Sequence, residues 1–324
     1  MTVIAETPKL VTVFGGTGFV GSHVVRVLAK RGYRVRVATR RPDLAGHLQP
    51  LGNMGQITAV QANLRVRWSI DRAVDGADHV VNLAGILYES GRQSFAAVQE
   101  FGPRAIAEAA RANGISMTQG SAIGATADSD SAYARTKAAG EVAVLGTLPD
   151  ATVFRPSIIF GAEDSFFNRF ANMARYSPAL PLIGGGMTRF QPIYVADYAE
   201  AIARSIDGRI EGGRIYEVGG PEVLTFRECM ERMLEVIDRK RLLVSIPWGV
   251  ASLQASILGM LPKPMLTPDQ VSQLRHDNVV SDAARSEGRT LEGIGIKPQS
   301  MEAILPSYLW TYRPAGQFTR GKPA

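Results

Sequence analysis

Residues 9–41, KLVTVFGGTGFVGSHVVRVLAKRGYRVRVATRR, constrain the fold more tightly than any other stretch. An apolar run from Leu10 to Phe14 reads as a strand. A glycine-rich turn follows, then a helical pattern over 19–31 and a second apolar run at 34–38. The turn carries Gly15, Gly18 and Gly21 at the spacing G-x-x-G-x-x-G. The first glycine allows a tight turn, the second lets the backbone approach a pyrophosphate, and the third lets the helix pack closely on the strand. The free N–H groups and positive dipole end of that helix then face the phosphates. Alone the glycine motif is weak, but strand–turn–helix is the context that gives it meaning. No Gly-Lys-Ser/Thr closes the turn, which excludes a nucleoside-triphosphate loop. The expected site is a dinucleotide site, with Gly15, Thr17, Gly18, Phe19, Val20 and Gly21 along it.

Cofactor choice is expected at the end of the second strand. An acidic residue there accepts from the ribose 2′-hydroxyl of NAD. This chain has Thr39, Arg40 and Arg41 instead. Two guanidinium forks suit a 2′-phosphate, so the residues predict NADP(H) over NAD(H); the plain alternative is a solvated basic loop. Asn63, just past the third strand, is a further cofactor candidate.

Apolar runs and helical patterns alternate through the first half. Strands are predicted at 10–14, 34–38, 57–61, 79–83, 115–120 and 151–155, and helices at 19–31, 68–75, 94–112 and 131–146. This alternation predicts an α/β fold, a doubly wound parallel sheet of Rossmann type with helices on both faces. Gly32 and Gly114 mark helix ends. After Gly161 the rhythm changes. Residues 162–188 and 221–312 are expected to form a smaller, mostly helical lobe, while 189–220 return to the 9–161 domain through a helix at 195–206 and a strand at 214–218. Asp197 is expected to cap or anchor the helix that follows it. Residues 313–324 read as a disordered tail.

With 324 residues and 45% apolar content, the chain can bury a substantial core. Its single cysteine, Cys229, excludes an internal disulfide and is expected to be buried in a helix. The four histidines are scattered without ligand spacing, so no metal site is expected. A net charge of +6 without basic–aromatic interleaving argues against nucleic acid, and leaves an acidic partner or anionic lipid surface open. No secretory signal is visible. The most apolar later stretch, Ile246 to Leu261, is interrupted by Pro247 and Gly249 and is shorter than the roughly 20 residues of a membrane span.

Asn82-Leu83-Ala84-Gly85 ends the fourth strand, where small residues admit the middle of a cofactor; Leu83, Ala84 and Gly85 are candidates for that contact. Ser121 ends the fifth strand. Tyr133 follows, and Lys137 four residues later. Positions i and i+4 share a helix face. An ammonium beside a phenol favours the phenolate and brings it towards general acid–base work. Ser121, Tyr133 and Lys137 are therefore the candidate catalytic residues, and Lys137 could also hold the nicotinamide ribose. Tyr-x-x-x-Lys by itself fits any amphipathic helix; its position after a dinucleotide turn and a strand-end serine sets it apart.

Gly15-x-x-Gly18-x-x-Gly21, Asn82-x-Ala84-Gly85, Ser121, Tyr133-x-x-x-Lys137 and Arg155-Pro156 together resemble the extended short-chain dehydrogenase/reductase superfamily. The resemblance implies Tyr133 as acid/base, Lys137 as its electrostatic partner, Ser121 as carbonyl ligand, and a nicotinamide contact along Arg155, Pro156 and Ser157. A narrower resemblance rests on YARTKAAGE (133–141), FRPSIIFGAED (154–164), FFNRF (166–170), FQPIYVAD (190–197) and LTPDQV (266–271). These are similar to the 39-kDa-type nucleotide-binding accessory subunits of respiratory complex I. That resemblance implies a tightly held NADPH without established turnover, and core subunits near the quinone site as partners. It further implies a peripheral place on the membrane. Without a visible transit peptide, that place is expected to be the cytoplasmic face of a bacterial inner membrane, the alternative being a soluble cytoplasmic protein.

Other readings stand beside it. A free NADP-dependent reductase, epimerase or dehydratase would use Ser121, Tyr133 and Lys137 directly. Its substrate would meet 85–92 and 157–191, with Arg175, Arg189 and Gln191 as candidates to hold a polar group. An NADPH sensor would share the glycine turn but need fast exchange. Phe166, Phe167 and Phe170, like Trp248, Leu253, Ile257 and Leu258, fit core packing or a partner-facing surface.

Overall fold

A computed structural model describes residues 8–259, 261, 264 and 266–315. The predicted tail thus lies, from 316 onward, outside the described residues.

The first half alternates as its apolar periodicity requires. Strand β1 (Leu10–Phe14) is followed by helix α1 (Phe19–Lys30), β2 (Arg34–Thr39), β3 (Ile57–Gln61), α2 (Arg67–Val74) and β4 (His79–Asn82). Then come α3 (Gly102–Ala112), β5 (Ser116–Gly120), α4 (Ala132–Thr147) and β6 (Thr152–Pro156). The expected helix over 94–112 is not uniform: Ala96–Phe101 winds as a wider π-helical turn before α3. Pro103 has no N–H to give the Gln99 carbonyl, and its ring would crowd that oxygen in an α turn; the wider turn relieves the clash. The Gln99 oxygen instead lies 2.1 Å from where a Cβ on Gly140 would stand, so α4 can pass here only as glycine.

Later elements are β7 (Ile159–Phe160), α5 (Phe167–Tyr176), β8 (Ala179–Ile183), β9 (Arg189–Phe190), β10 (Ile193–Tyr194), α6 (Val195–Ile206) and β11 (Ile215–Val218). After them run β12 (Leu224–Thr225), α7 (Phe226–Val236), β13 (Leu242–Ile246), α8 (Trp248–Leu258), α9 (Pro268–Gln273), α10 (Asp282–Ser286) and α11 (Met301–Leu309). Thr225 and Glu228 form a reciprocal cap on α7, and Thr267 and Gln270 do the same for α9. The stretch from 224 is mainly helical, as expected, with β13 as a strand within it. Leu-Leu-Val-Ser-Ile pairs parallel with β8, and Pro247 ends the strand.

Seven strands form one sheet in the order β11-β6-β5-β4-β1-β2-β3. The pairings of β1 with β2 and β4, β2 with β3, β4 with β5 and β5 with β6 are parallel. This is the doubly wound order in which the chain reverses direction at β1 and β4, and ligands bind outside the strand carboxyl ends at that point. One sheet face is covered by α2, α3 and α4, through Ile70, Val74, Ile106, Ala110 and Val144 packed on Phe14, Val80 and Met117. On the opposite face Arg31 of α1 joins α6, pairing with Glu200 at 2.6 Å and with Asp207.

The chain divides into two compact units. One holds the described residues to Arg155 with Tyr198–Tyr216; the other holds Pro156–Asp197 and the described residues from Glu217. The limits expected from sequence, 9–161 with 189–220, differ by several residues. β7 pairs with β10 and β9 with β12, outside the large sheet, so these segments cluster with the second unit. That unit has its own core of Phe160, Phe167, Leu180, Phe226, Met230 and Leu305, joined by Cys229, which is buried in α7 with its thiol pushed up to about 12. Phe166 and Phe170 pack on this core, edge-on to one another.

Candidate functional site

The site of the first unit gathers at the carboxyl ends of β1, β4 and β5. Gly15 leaves β1 at φ +79°, and a Cβ there would lie 2.8 Å from the Ala84 nitrogen, so the turn runs against the end of β4. Leu83 N–H donates to the Phe14 carbonyl at 2.9 Å, which fixes that approach. Gly18 N–H donates to the Gly15 carbonyl at 3.1 Å. A Cβ on Gly21 would stand 2.1 Å from the same carbonyl, so the helix can close on the turn only with glycine here. Gly18 differs: its nearest neighbour to a Cβ is at 3.4 Å, ordinary contact. The protein itself does not need glycine at 18; a backbone-hugging ligand would.

α1 starts at Phe19 with no side-chain cap and no acidic residue in its first turn. Its leading N–H groups, among Phe19, Val20 and their neighbours, remain available to an anion. Thr17 is half-buried in the turn, and Phe19 packs edge-on against His23.

Beyond β2 the two arginines part company. Arg41 is committed: its guanidinium bonds Asp43 at 3.0 and 2.7 Å. Arg40 is exposed, and among the described residues it has no ion-pair partner. Asn63 follows β3, its side-chain oxygen accepting from Arg65 N–H at 3.1 Å.

At the centre, Asn82 bridges β4 and β5 by donating to Gln119 Oε1 at 2.9 Å and accepting from Ala84 N–H at 3.1 Å. Gln119 Nε2 donates to the Gly120 carbonyl at 2.7 Å, and Lys137 Nζ donates to the same carbonyl at 3.3 Å. Ser131 caps α4 and sets its entry, so Tyr133 and Lys137 project one turn apart. Lys137 Nζ is 5.8 Å from the Tyr133 ring centroid and 3.5 Å from where a Cβ on Gly85 would be. Burial pulls the Lys137 ammonium down to about 8, with Glu141 opposing the shift. Ser121 is 7% exposed, and its Oγ has no hydrogen-bond partner among the described residues. A buried orphan hydroxyl is costly unless something bonds it.

An uncapped helix end, a glycine at 18 that the fold itself does not require, an orphan hydroxyl at the end of β5 and a buried lysine on α4 all fit a nicotinamide dinucleotide laid across this edge. The arrangement brings a phenol and an ammonium together on α4, with a serine hydroxyl at the end of β5, and no metal-type ligand cluster occurs among the described residues.

Sequence reasoning missed the groups that hold the site. Gln99 is 2% exposed; its Nε2 donates to the Ile86 carbonyl at 2.8 Å and its Oε1 accepts from Thr136 at 2.9 Å, tying the loop after β4 to α4. Glu141 pairs two-point with Arg155. Glutamine in an apolar helical stretch and a carboxylate one turn past Lys137 were the available signals. The Arg155 guanidinium is thereby committed to α4.

In the second unit, Ser157 N–H donates to the Val218 carbonyl, and its hydroxyl lies 2.7 Å from Asn278 Oδ1. The candidates for holding a polar ligand are engaged otherwise. Gln191 donates to the Gly220 carbonyl at 2.7 Å and accepts from Val280 N–H at 3.0 Å. Arg189 pairs with Asp277 at 2.7 Å, and Arg175 sits over the Tyr176 ring. Of the two roles expected for Asp197 the structure shows the anchoring one: it lies in the first turn of α6, which begins at Val195, and its carboxylate accepts from Gln299 N–H at 2.7 Å, tying that turn to the approach to α11.

Strand order and a glycine turn of this geometry at the end of β1 define a Rossmann-type nucleotide-binding fold. Residues 11–219 match the NAD dependent epimerase/dehydratase family, and the chain belongs to it. It is similar to the NADH dehydrogenase (ubiquinone) 1 alpha subcomplex subunit 9, mitochondrial, of Arabidopsis thaliana, with 35% identity over 94% of this chain and 78% of that protein. It is also similar to the ceramide reductase of Caulobacter vibrioides, with 33% identity over 74% of each. Among solved structures, dTDP-glucose 4,6-dehydratase from Bacillus anthracis in complex with NAD superposes with a TM-score of 0.70 at 16% identity, over 94% of this chain and 96% of that one, a likeness of fold.

Proposed function

We propose that this chain is an accessory subunit of a respiratory NADH:ubiquinone oxidoreductase that holds NADPH as a fixed ligand and steadies the enzyme near its quinone site. One observation carries the reading. The family match ends at residue 219, whereas the likeness to the mitochondrial subunit covers 94% of the chain and so takes in the second unit as well. In the proposed site the α1 N–H groups and Gly18 receive the pyrophosphate, and Arg40 receives the 2′-phosphate. Asn63 flanks the adenosine, and Leu83, Ala84 and Gly85 line the cofactor's middle. Tyr133 and Lys137 hold the nicotinamide ribose, with Arg155, Pro156 and Ser157 in the backbone run near the ring. A nicotinamide cofactor supplies hydride chemistry when bound; the residues around it orient it and exclude water. The expected place is the cytoplasmic face of a bacterial inner membrane, and no helix among the described residues is long and apolar enough to cross a membrane.

A second reading is favoured by the orphan Ser121 hydroxyl and by the likeness to a ceramide reductase: an NADPH-dependent reductase of a lipid carbonyl. There Ser121 would bond the carbonyl oxygen, Tyr133 would donate its proton, and Lys137 would keep the phenol acidic.

The deciding experiment tags the protein at native level and runs gently solubilised membranes on a native gel. Co-migration with NADH:quinone oxidoreductase activity supports the subunit role. A small species free of that activity refutes it and directs attention to carbonyl turnover.

A further inference from the structure

The second unit carries an exposed apolar face that the dinucleotide site does not use. Residues 242–262 contain no Asp, Glu, Lys or Arg. Within them β13 turns Leu242 and Val244 to solvent at the two-residue spacing of one strand face. α8 turns out Val250, Leu253 and Ile257, spaced i, i+3, i+7, the last two being 65% and 63% exposed. Its other side is spoken for: Ala251 and Ala255 are buried against Ile183 and Val271. Leu261, just past α8, is exposed as well.

Strand and helix meet at one turn. A Cβ on Gly184 would fall 2.1 Å from the Trp248 ring, and one on Gly185 would touch Ser245 and the exposed Met187. Met187, β13 and the start of α8 therefore share a surface. Soluble proteins seldom leave apolar side chains contiguous in this way without a use for them.

Cations border the face. Arg239-Lys240-Arg241 immediately precede β13. Lys240 is exposed, while Arg239 and Arg241 are held by backbone carbonyls of Tyr312 and Ala174. At the start of α8 the exposed Arg275 guanidinium sits 5.6 Å from the Trp248 ring centroid, with His276 next to it. Lys263 follows in the sequence. The acids flanking these segments in the sequence are Asp238, before the basic triplet, Asp269, which accepts from Gln273, and Asp277, beside His276, which pairs with Arg189.

We propose that this face docks on a lipid bilayer containing anionic phospholipid. An uncharged apolar row, an indole at its margin and a rim in which the exposed Lys240 and Arg275 are not ion-paired to an acid among the described residues, while Asp277 is tied to Arg189, reproduce the layering of acyl chains, interface and anionic headgroups. α8 has eleven residues, so it lies on the bilayer rather than crossing it. The docking does not depend on the proposed subunit role, since the isolated chain carries the whole face.

The test is co-sedimentation of the purified full chain with vesicles of phosphatidylcholine alone or mixed equally with phosphatidylglycerol. The chain is expected to pellet with the mixed vesicles and at least about tenfold more weakly with the neutral ones, since basic residues near an anionic surface strengthen its attraction. L253E/I257E changes two exposed side chains, so the fold is expected to persist by circular dichroism while vesicle affinity falls at least about tenfold. K240E/R275E is expected to lose the preference for phosphatidylglycerol. V142E, on the exposed face of α4, is the control and is expected to bind as the parent does. The proposal is overturned if the parent stays in the supernatant with both vesicles, or if L253E/I257E pellets as the parent does. Capture of a stoichiometric membrane protein through Leu253 and Ile257, without vesicle binding, overturns it in favour of a protein interface.

Discussion

Arg155 holds Glu141 at two points, Nε to Oε1 at 2.9 Å and Nη2 to Oε2 at 2.5 Å, one helical turn beyond Lys137. The carboxylate is nearly inaccessible, so the pair fixes α4 to the end of β6. It also means the negative charge closest to Lys137 is already neutralised, and burial prevails in setting the lysine at about 8.

Between about pH 8 and 10.5 the unfolded chain keeps a proton on Lys137 that the native protein has shed. Stability therefore rises with pH across that window, and below it the native state bears the full cost of a buried ammonium. Lys137→Met is expected to stabilise the cofactor-free protein by about 1–3 kcal/mol at pH 7 and by less at pH 10. Urea unfolding at the two pH values measures this, and an equal difference at both would refute it. Glu141→Gln is expected to push the lysine lower still and, by breaking the two-point pair with Arg155, to cost about 3–5 kcal/mol.

Gly18 and Gly21 separate ligand need from folding need. Gly21→Ala drives a methyl into the Gly15 carbonyl and is expected to destabilise by more than about 3 kcal/mol, read as a fall in Tm. Gly18→Ala meets only ordinary contact and is expected to leave Tm within a few degrees while weakening dinucleotide binding at least about tenfold. Full calorimetric affinity in Gly18→Ala would remove the pyrophosphate from this turn.

The two glycines also show what a sequence can and cannot express. The strand–turn–helix unit was legible because glycine spacing and apolar periodicity are local, and α1, β3 and α6 lie within a residue of their expected limits. Tyr133 and Lys137 were legible for the same reason, four residues apart on one helix. What escaped was held by long-range partners. Gln99 acquires its role from Ile86 and Thr136, and Gln191 loses its expected ligand role to Gly220 and Val280. β13 escaped because its strand character comes from lying beside β8, more than fifty residues earlier. Arg40 and Arg41 read alike in sequence and differ only through Asp43.

That difference has a consequence for cofactor choice. Arg40→Ala is expected to weaken NADPH binding about 10- to 100-fold and leave NADH nearly unchanged, as loss of a charge-assisted contact would. Arg41→Ala frees Asp43 beside the same phosphate and is expected to reduce the preference for NADPH as well. Calorimetry with both nucleotides decides; equal losses for NADPH and NADH in Arg40→Ala would show that residue to be a solvated loop cation.

His79 makes the first unit sensitive to acid. Its ring is buried in β4 with Nε2 2.8 Å from Thr118 Oγ1, and burial pushes it down to about 4 from the usual 6.5. The unfolded chain takes up a proton there between pH 6.5 and 4 and the native protein does not, so stability falls as pH drops through that window, by about 3 kcal/mol in all. His79→Asn is expected to flatten this part of the stability profile between pH 7 and 4.5. An unchanged slope would assign the acid sensitivity to other groups.

Ser121 separates the two functional readings. Its buried hydroxyl has no hydrogen-bond partner among the described residues, so Ser121→Ala removes a desolvated polar group together with its cost. The variant is expected to be more stable than the parent by about 1 kcal/mol without nucleotide, measured by urea unfolding. A loss of stability would instead show that the hydroxyl is already bonded within the native protein. With NADPH bound, a fixed-ligand subunit is expected to retain its complex and its co-migration with quinone reductase activity, because phosphate and ribose contacts lie elsewhere. A reductase is expected to keep the nucleotide and lose about 100-fold or more in carbonyl turnover, because the serine would bond only the reacting oxygen.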